Sequence, residues 1–307
     1  MSAWRDRLYR ALTHPPYHDE AGCKGWLESF ARAPRHIPRT LDLSLPEWPR
    51  WSRPFRIAFL SDFHTGGYAG DVARLAAIVA EAAGQKPDIA LFGGDFVNMI
   101  PFGGGRVPPY VIAGILGRLQ APCGRFATLG NHDRNYGTEE VAKALQDNGI
   151  SVLLDVADEV RFEGAAIRIV GIPDAPRRGG DRPGARAVLA GLRADLPTIV
   201  LAHDPYWFTH LPPGPHLMLA GHTHGGQIRL PLLGALTNAS RAPLRWTYGL
   251  IEEAGRRMYV TSGLGCSTLP LRIAAAPEWV LLEVNGAAGT ELAGTRCAVP
   301  TRTASSP

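Results

Sequence analysis

Five short apolar runs in this chain each lead into residues able to ligate a metal ion, and this pattern restricts the fold more than any bulk property. Phe55–Leu60 leads to Asp62 and His64, residues 88–92 lead to Asp95, and residues 125–129 lead to Asn131, His132 and Asp133. Residues 199–202 then meet His203, and residues 217–220 meet His222 and His224. Helical spacing fills the early gaps, with Val72, Leu75, Ala76, Ile78 and Val79 recurring over 71–83 and a second apolar segment at 109–119. Strand alternating with helix predicts a largely parallel sheet. Loops at the carboxyl ends of such strands converge on one crevice, where ligands bind. Five of the ten histidines fall at these ends.

The later half is richer in strands, expected at 152–156, 159–162, 166–172, 198–203, 217–220, 227–230, 257–261 and 279–284, with Gly164 turning a hairpin. One sheet flanked by so few helices cannot hold them all. The expectation is an α/β fold of two packed sheets with helices outside.

Residues 1–53 read as a separate basic extension holding four of the seven tryptophans, Trp4, Trp26, Trp48 and Trp51. Its first 13 residues have amphipathic helical spacing, which suits either a membrane interface or a cover for one edge of the main domain. Prolines then suggest an extended wrap. Residues 54–284 form the expected main domain, and the Gly/Ala/Thr/Ser-rich 285–307 a disordered tail. With 20% charged and 45% hydrophobic residues the chain is globular, and a net charge of +4 disfavours a nucleic-acid binder. The four cysteines form no CxxC pair, which argues against a zinc ribbon or a disulfide framework. No stretch approaches the roughly 18 apolar residues of a membrane span, so a cytoplasmic protein, peripheral at most, is expected.

Imidazole, carboxylate and amide oxygens together suit intermediate divalent ions, and manganese, iron and zinc all accept the set, manganese being favoured here. The potential ligands are too many for one tetrahedral ion, whereas two ions sharing a carboxylate would use them all. The series Asp62-Phe63-His64, Gly94-Asp95, Gly130-Asn131-His132-Asp133, His203 and Gly221-His222-Thr223-His224 resembles the calcineurin-like metallophosphoesterases from about Arg56 to Val284. The resemblance implies a four-layer α/β/β/α sandwich. It also implies that Asp62, His64 and His224 hold one metal, that Asn131, His203 and His222 hold the other, and that Asp95 bridges. Residues 221–227 and 259–272 are similar to a bacterial membrane-associated phosphodiesterase branch that includes UDP-2,3-diacylglucosamine pyrophosphatase-like enzymes.

The expected activity is therefore hydrolysis of a phosphodiester or pyrophosphate, with a metal-bridging hydroxide attacking in line. A phosphomonoesterase, a nuclease and a non-catalytic scaffold are the alternatives. His132, left free by Asn131, is expected to protonate the leaving oxygen. Asp133 is expected to orient that imidazole and raise its pKa, unless it merely caps a loop. Arg134 and Arg272 are candidates for a second phosphate, against the alternative of ordinary surface arginines. Cys266 reads as a small buried hydrophobe rather than a thiol beside the metals. The loop at 98–109 reads as a rim or a connector, with Phe102 and Tyr110 able to take an acyl chain or a base, or simply to pack. Lipid-linked and nucleotide esters are the candidate substrates, and the basic extension is a candidate for membrane contact.

Overall fold

The computed structural model describes residues 33–99, 106–174, 182–230, 234–268 and 271–287. Two six-stranded sheets dominate it. The first has the order β1 (Ile37–Ser44), β14 (Glu278–Asn285), β2 (Phe55–Leu60), β3 (Ile89–Phe92), β4 (Arg125–Ala127) and β5 (Ser151–Val152). The second has the order β12 (Gly249–Glu253), β13 (Arg256–Val260), β9 (His216–Ala220), β8 (Thr198–Ala202), β7 (Ala165–Ile172) and β6 (Val156–Phe162). Strands β2 to β5 pair in parallel, β14 runs antiparallel to β2, and both edge pairs of the second sheet apart from β7–β8–β9–β13 are antiparallel, so both sheets are mixed.

The period-2 alternation of a strand sorts its side chains between two cores. Phe55, Ile57 and Phe59 of β2, with Ile89 and Leu91 of β3, point between the sheets and meet Ile167, Ile169, Ile199, Leu201, Leu217 and Leu219. The alternate residues Ala58, Leu60, Ala90 and Phe92 face the other way. They pack against α1 (Asp71–Gly84), α2 (Pro109–Leu116) and α3 (Asn131–Asp147). A third core lies outside the second sheet, where Val170, Val200 and Met218 meet Ala185 and Leu189 of α4 (Pro183–Ala190) and Trp207 and Phe208 of a 3₁₀ turn. Three apolar interiors between four layers make the α/β/β/α sandwich.

The sequence reading differs from the structure in places. Residues 37–53 are not an appendage: β1 pairs in parallel with β14 over its whole length, and Trp48 and Trp51 are buried in the core between the sheets. Residues 1–32 of the extension lie outside the described residues, as do Phe102 and residues 288–307. Helices α3 and α4 were not anticipated. Helix α3 buries only Asp133, Val141, Ala144 and Leu145 and is interrupted at Gly137 (φ 151°), so its apolar period is weak. Gly164 does turn the β6–β7 hairpin, at φ 83°. No described helix is long and apolar enough to cross a membrane.

Candidate metal centre

The turns after β2, β3, β4, β8 and β9 bring Asp62, His64, Asp95, Asn131, His132, His203, His222 and His224 to one end of the two sheets. Main-chain bonds lock the first two turns together: Asp62 N–H donates to the Gly94 carbonyl at 3.0 Å, and His64 N–H to the Asp95 carbonyl at 2.9 Å. Asp62, His64, Asp95, His222 and His224 all take left-handed backbone, with φ between 41° and 67°. Non-glycine residues adopt this conformation at a cost, and such strain gathers at functional sites. Gly130 and Gly221 provide the space, since a β-carbon at Gly130 would overlap the Asp95 carboxylate and one at Gly221 the Asp62 carboxylate.

Two groups of potential ligands face each other across Asp95. Asp62, His64 and His224 form one, and Asp95, His203 and His222 the other. Asp95 Oδ2 lies 3.5 Å from His64 Nε2 and 3.4 Å from His203 Nε2, so one carboxylate oxygen addresses both groups. Its other oxygen accepts the main-chain N–H of His132 at 2.8 Å. The Asp62 carboxylate likewise accepts the main-chain N–H of His222 at 2.9 Å.

Burial is the largest influence on these groups. It pushes His64 and His224 well below the usual imidazole range, leaving neutral rings with a lone pair to donate. Burial also opposes the His203 cation, but the Asp95 carboxylate outweighs it and holds His203 well above that range. Burial works against the Asp95 carboxylate, which His203 and His132 nonetheless hold well below the ordinary carboxylate value. The Asp62 carboxyl is raised, chiefly by burial.

The donor set fits divalent cations. Both ring nitrogens of fully buried His64, and Asn131 Oδ1, have no hydrogen-bond partner. Buried polar atoms left so cost about 1–3 kcal/mol each. His203 Nδ1 contacts the Gly93 carbonyl at 2.7 Å, and as donor there it leaves Nε2, directed at Asp95 Oδ2, as the nitrogen that would give up its proton to bind a cation. His222 Nε2 contacts the Ala239 carbonyl at 3.2 Å in the same sense, and its Nδ1 then lies 3.1 Å from His203 Nε2. The proton on His203 Nε2 bridges this pair, and a cation bound there would take its place.

A cavity of about 520 Å³ opens above these residues. His132 lines it, stacked edge-on against His64 with ring centroids 4.4 Å apart and its Nε2 3.4 Å from Ser267 Oγ. Arg134 also lines it, paired with Asp174 at 2.8 Å. Asp174 and Asp204, absent from the sequence reading, form a further acidic group with His222. The signal for both was available, because each follows a strand end: Asp174 after β7, and Asp204 directly after His203.

Two expected roles change. The Asp133 carboxylate does not reach His132. It accepts main-chain N–H groups of Asp95 at 2.7 Å, Phe96 at 2.8 Å and Gly130 at 2.9 Å, while His132 Nδ1 has no partner. Being fully buried at the third position of α3, Asp133 fastens the loop after β3 to the start of that helix. Arg272 is turned away from the cavity toward main-chain carbonyls, donating to Gly265 at 2.9 Å, Ser262 at 2.6 Å, Ala275 at 3.1 Å and His224 at 3.3 Å. A planar fork already engaged in this way has no donor to spare for a phosphate. Buried Cys266 contacts the Tyr68 hydroxyl and belongs to none of the ligand groups, and Tyr110 sits exposed on α2, bonded to Asp147.

Residues 55–226, more than half of the chain, match the family described as calcineurin-like phosphoesterase. The chain is 34% identical over 241 residues to phosphodiesterase YaeI of Escherichia coli (strain K12), covering 75% of this chain and 82% of that protein. It is 30% identical over 231 residues to the uncharacterized metallophosphoesterase YkuE of Bacillus subtilis (strain 168), covering 73% and 77%. Fold, clustered ligand residues and sequence similarity agree, and this chain belongs to the calcineurin-like phosphoesterase family of metal-dependent phosphoester hydrolases.

Proposed function

We propose that this protein is a dinuclear phosphodiesterase or pyrophosphatase. The observation that carries the reading is the position of Asp95 Oδ2, within 3.5 Å of a histidine from each ligand group. Asp62, His64 and His224 would hold one divalent ion and Asn131, His203 and His222 the other, with Asp95 shared. Two such ions, manganese first among candidates, supply Lewis-acid charge that activates water and neutralises phosphoryl oxygens.

The remaining steps fall to the chain's own side chains. His132 borders the cavity and its main chain is held by Asp95, which supports the reading that its ring gives a proton to the leaving oxygen. Arg134, steadied by Asp174, offers a cation to a second phosphate or to a non-bridging oxygen. Asp133 keeps the two ligand-bearing loops in register and so positions rather than reacts. Diester preference is supported by the relative named a phosphodiesterase, most of whose length this chain covers.

The test is turnover of bis-p-nitrophenyl phosphate and p-nitrophenyl phosphate by metal-stripped protein reloaded with Mn²⁺, alongside metal stoichiometry. Two ions per chain and diester hydrolysis abolished by Asp95→Asn are expected. A single bound ion would remove the dinuclear reading, and preference for the monoester would remove the diester reading.

A further inference from the structure

The ring of His132 makes one hydrogen-bonding contact among the described residues. Its Nδ1 has no partner, and its Nε2 lies 3.4 Å from Ser267 Oγ. The neighbouring Asp133 carboxylate is spent on main-chain N–H groups. The imidazole therefore faces a hydroxyl where adjacency in sequence suggested a carboxylate. Both His132 and Ser267 line the cavity.

Ser267 is itself held, through its main chain. Gln227 Nε2 donates to the Ser267 carbonyl at 2.9 Å, and Gln227 Oε1 accepts the Ser267 N–H at 2.9 Å. A main-chain N–H can only donate, so this pair of bonds fixes which way the amide points. Gln227 stands just before the short strand β10 (Arg229–Leu230), which pairs with β11 (Gly234–Ala235). Its own N–H donates to the His224 carbonyl at 2.9 Å, and its carbonyl accepts the Ile273 N–H at 2.9 Å. Gln227 (φ 46°) and Thr268 (φ 66°) both take left-handed backbone. For a β-branched residue such as Thr268 that is a true outlier, kept only where its surroundings enforce it. A run of bonds thus leads from His224 through Gln227 to the hydroxyl that faces His132.

The chemistry of a hydroxyl suits this place. An ionised carboxylate only accepts hydrogen bonds, whereas a serine both accepts and donates, and its proton rotates to suit. A general acid has a proton on its nitrogen before the step and a lone pair after it. Serine can serve the ring in both states.

We propose that Ser267 is the positioning residue for His132: its hydroxyl, aimed by the Gln227 amide, keeps Nε2 turned into the cavity throughout the proton transfer. This rests on the hydrolase reading above. Before the step, Nε2–H donates to Ser267 Oγ. At the step that N–H bond breaks as the leaving oxygen takes the proton, and the alcohol departs with it. Ser267 keeps its own proton and donates it as a hydrogen bond to the bare Nε2 until the ring is reprotonated from solvent. At 3.4 Å the contact leaves room for the leaving oxygen to compete for the same proton.

The experiment is a double-mutant cycle on the full-length, Mn²⁺-loaded protein, with Ser267→Ala and His132→Ala made singly and together. Diphenyl phosphate is the substrate with the poorer leaving group, and bis-p-nitrophenyl phosphate the activated one. Gln227 grips Ser267 by its main chain, so Ser267→Ala leaves the loop in place. It should lower kcat on diphenyl phosphate about tenfold with KM unchanged, and affect the activated diester much less. Ser267→Thr, which keeps the hydroxyl, should restore the rate. In the His132→Ala background, Ser267→Ala should cost nothing further. An equal loss with and without His132 would overturn the proposal, as would a raised KM with kcat intact. A second readout needs no turnover: in Zn²⁺-loaded, ¹⁵N-histidine-labelled protein, Ser267→Ala should move the ring-nitrogen resonances that His132→Ala deletes. Unmoved resonances would overturn the contact itself. Failure of the hydrolase reading would appear instead as absence of turnover by the wild-type protein, whatever the resonances show.

Discussion

Arg272 Nη1 donates to the main-chain carbonyl of His224 at 3.3 Å, so the C-terminal loop holds a potential metal ligand through its backbone. The same guanidinium gathers the carbonyls of Ser262, Gly265 and Ala275. Arg272→Lys replaces a planar fork by a point charge and leaves some of those carbonyls unpaired, at about 1–3 kcal/mol for each that water cannot reach. Weaker metal retention and a lower Tm are expected, with KM for the diester unchanged at saturating Mn²⁺. A raised KM under saturating metal would instead return Arg272 to the role of a phosphate contact.

Asp133 joins two loops through three short bonds to main-chain N–H groups. Asp133→Ala should destabilise the fold by several kcal/mol, because buried N–H groups left unpaired each cost about 1–3 kcal/mol. Asp133→Asn, which keeps one acceptor oxygen, should fall between. Neither should alter how rate depends on leaving-group pKa; a change there would show that Asp133 acts through His132 after all.

His132→Ala should retain metal and lose turnover by about 10²–10⁴-fold on esters with poor leaving groups. Activated aryl esters need little protonation and should suffer much less. Equal losses on both substrates would remove the general-acid role.

Metal loading should raise thermal stability. The lone-pair nitrogen of His64 and the unbonded oxygen of Asn131 are buried ligand atoms that a cation would satisfy. Binding that favours the folded state adds about 2.7 kcal/mol when free Mn²⁺ is a hundredfold above its Kd. Calorimetry with increasing Mn²⁺ should show a rising Tm that Asp95→Asn largely removes. A metal-independent Tm would count against these residues as the binding site.

The candidate ligand residues were legible because each lies within four residues of the end of an apolar strand, and strand ends are local features of sequence. Asp174 carried the same strand-end signal with no histidine beside it, and Asp204 was passed over in favour of its neighbour His203. The tasks of Asp133 and Arg272 could not be read, because their partners are main-chain atoms distant in sequence, at Asp95 and Phe96 for one and at His224 for the other. Adjacency to His132 suggested a contact that the helical start of α3 directs elsewhere. Strand β1 was hidden by prolines and charges. As an edge strand it buries few side chains, with only Leu43 fully enclosed, so its alternation is faint although its hydrogen bonds with β14 run its whole length.

The placement of β14 between β1 and β2 has a consequence during protein synthesis. As the ribosome releases the chain from its N-terminus, β2, β3 and β4 emerge early and can pair. The neighbouring edge of β2 nevertheless stays open until residues 278–285 arrive, and β1 has no partner before then. Closure over so long a span is slow and leaves apolar strand edges available to other nascent chains. Yield in the cell should therefore depend on chaperones that shield that edge during translation, more than on the stability of the finished sandwich.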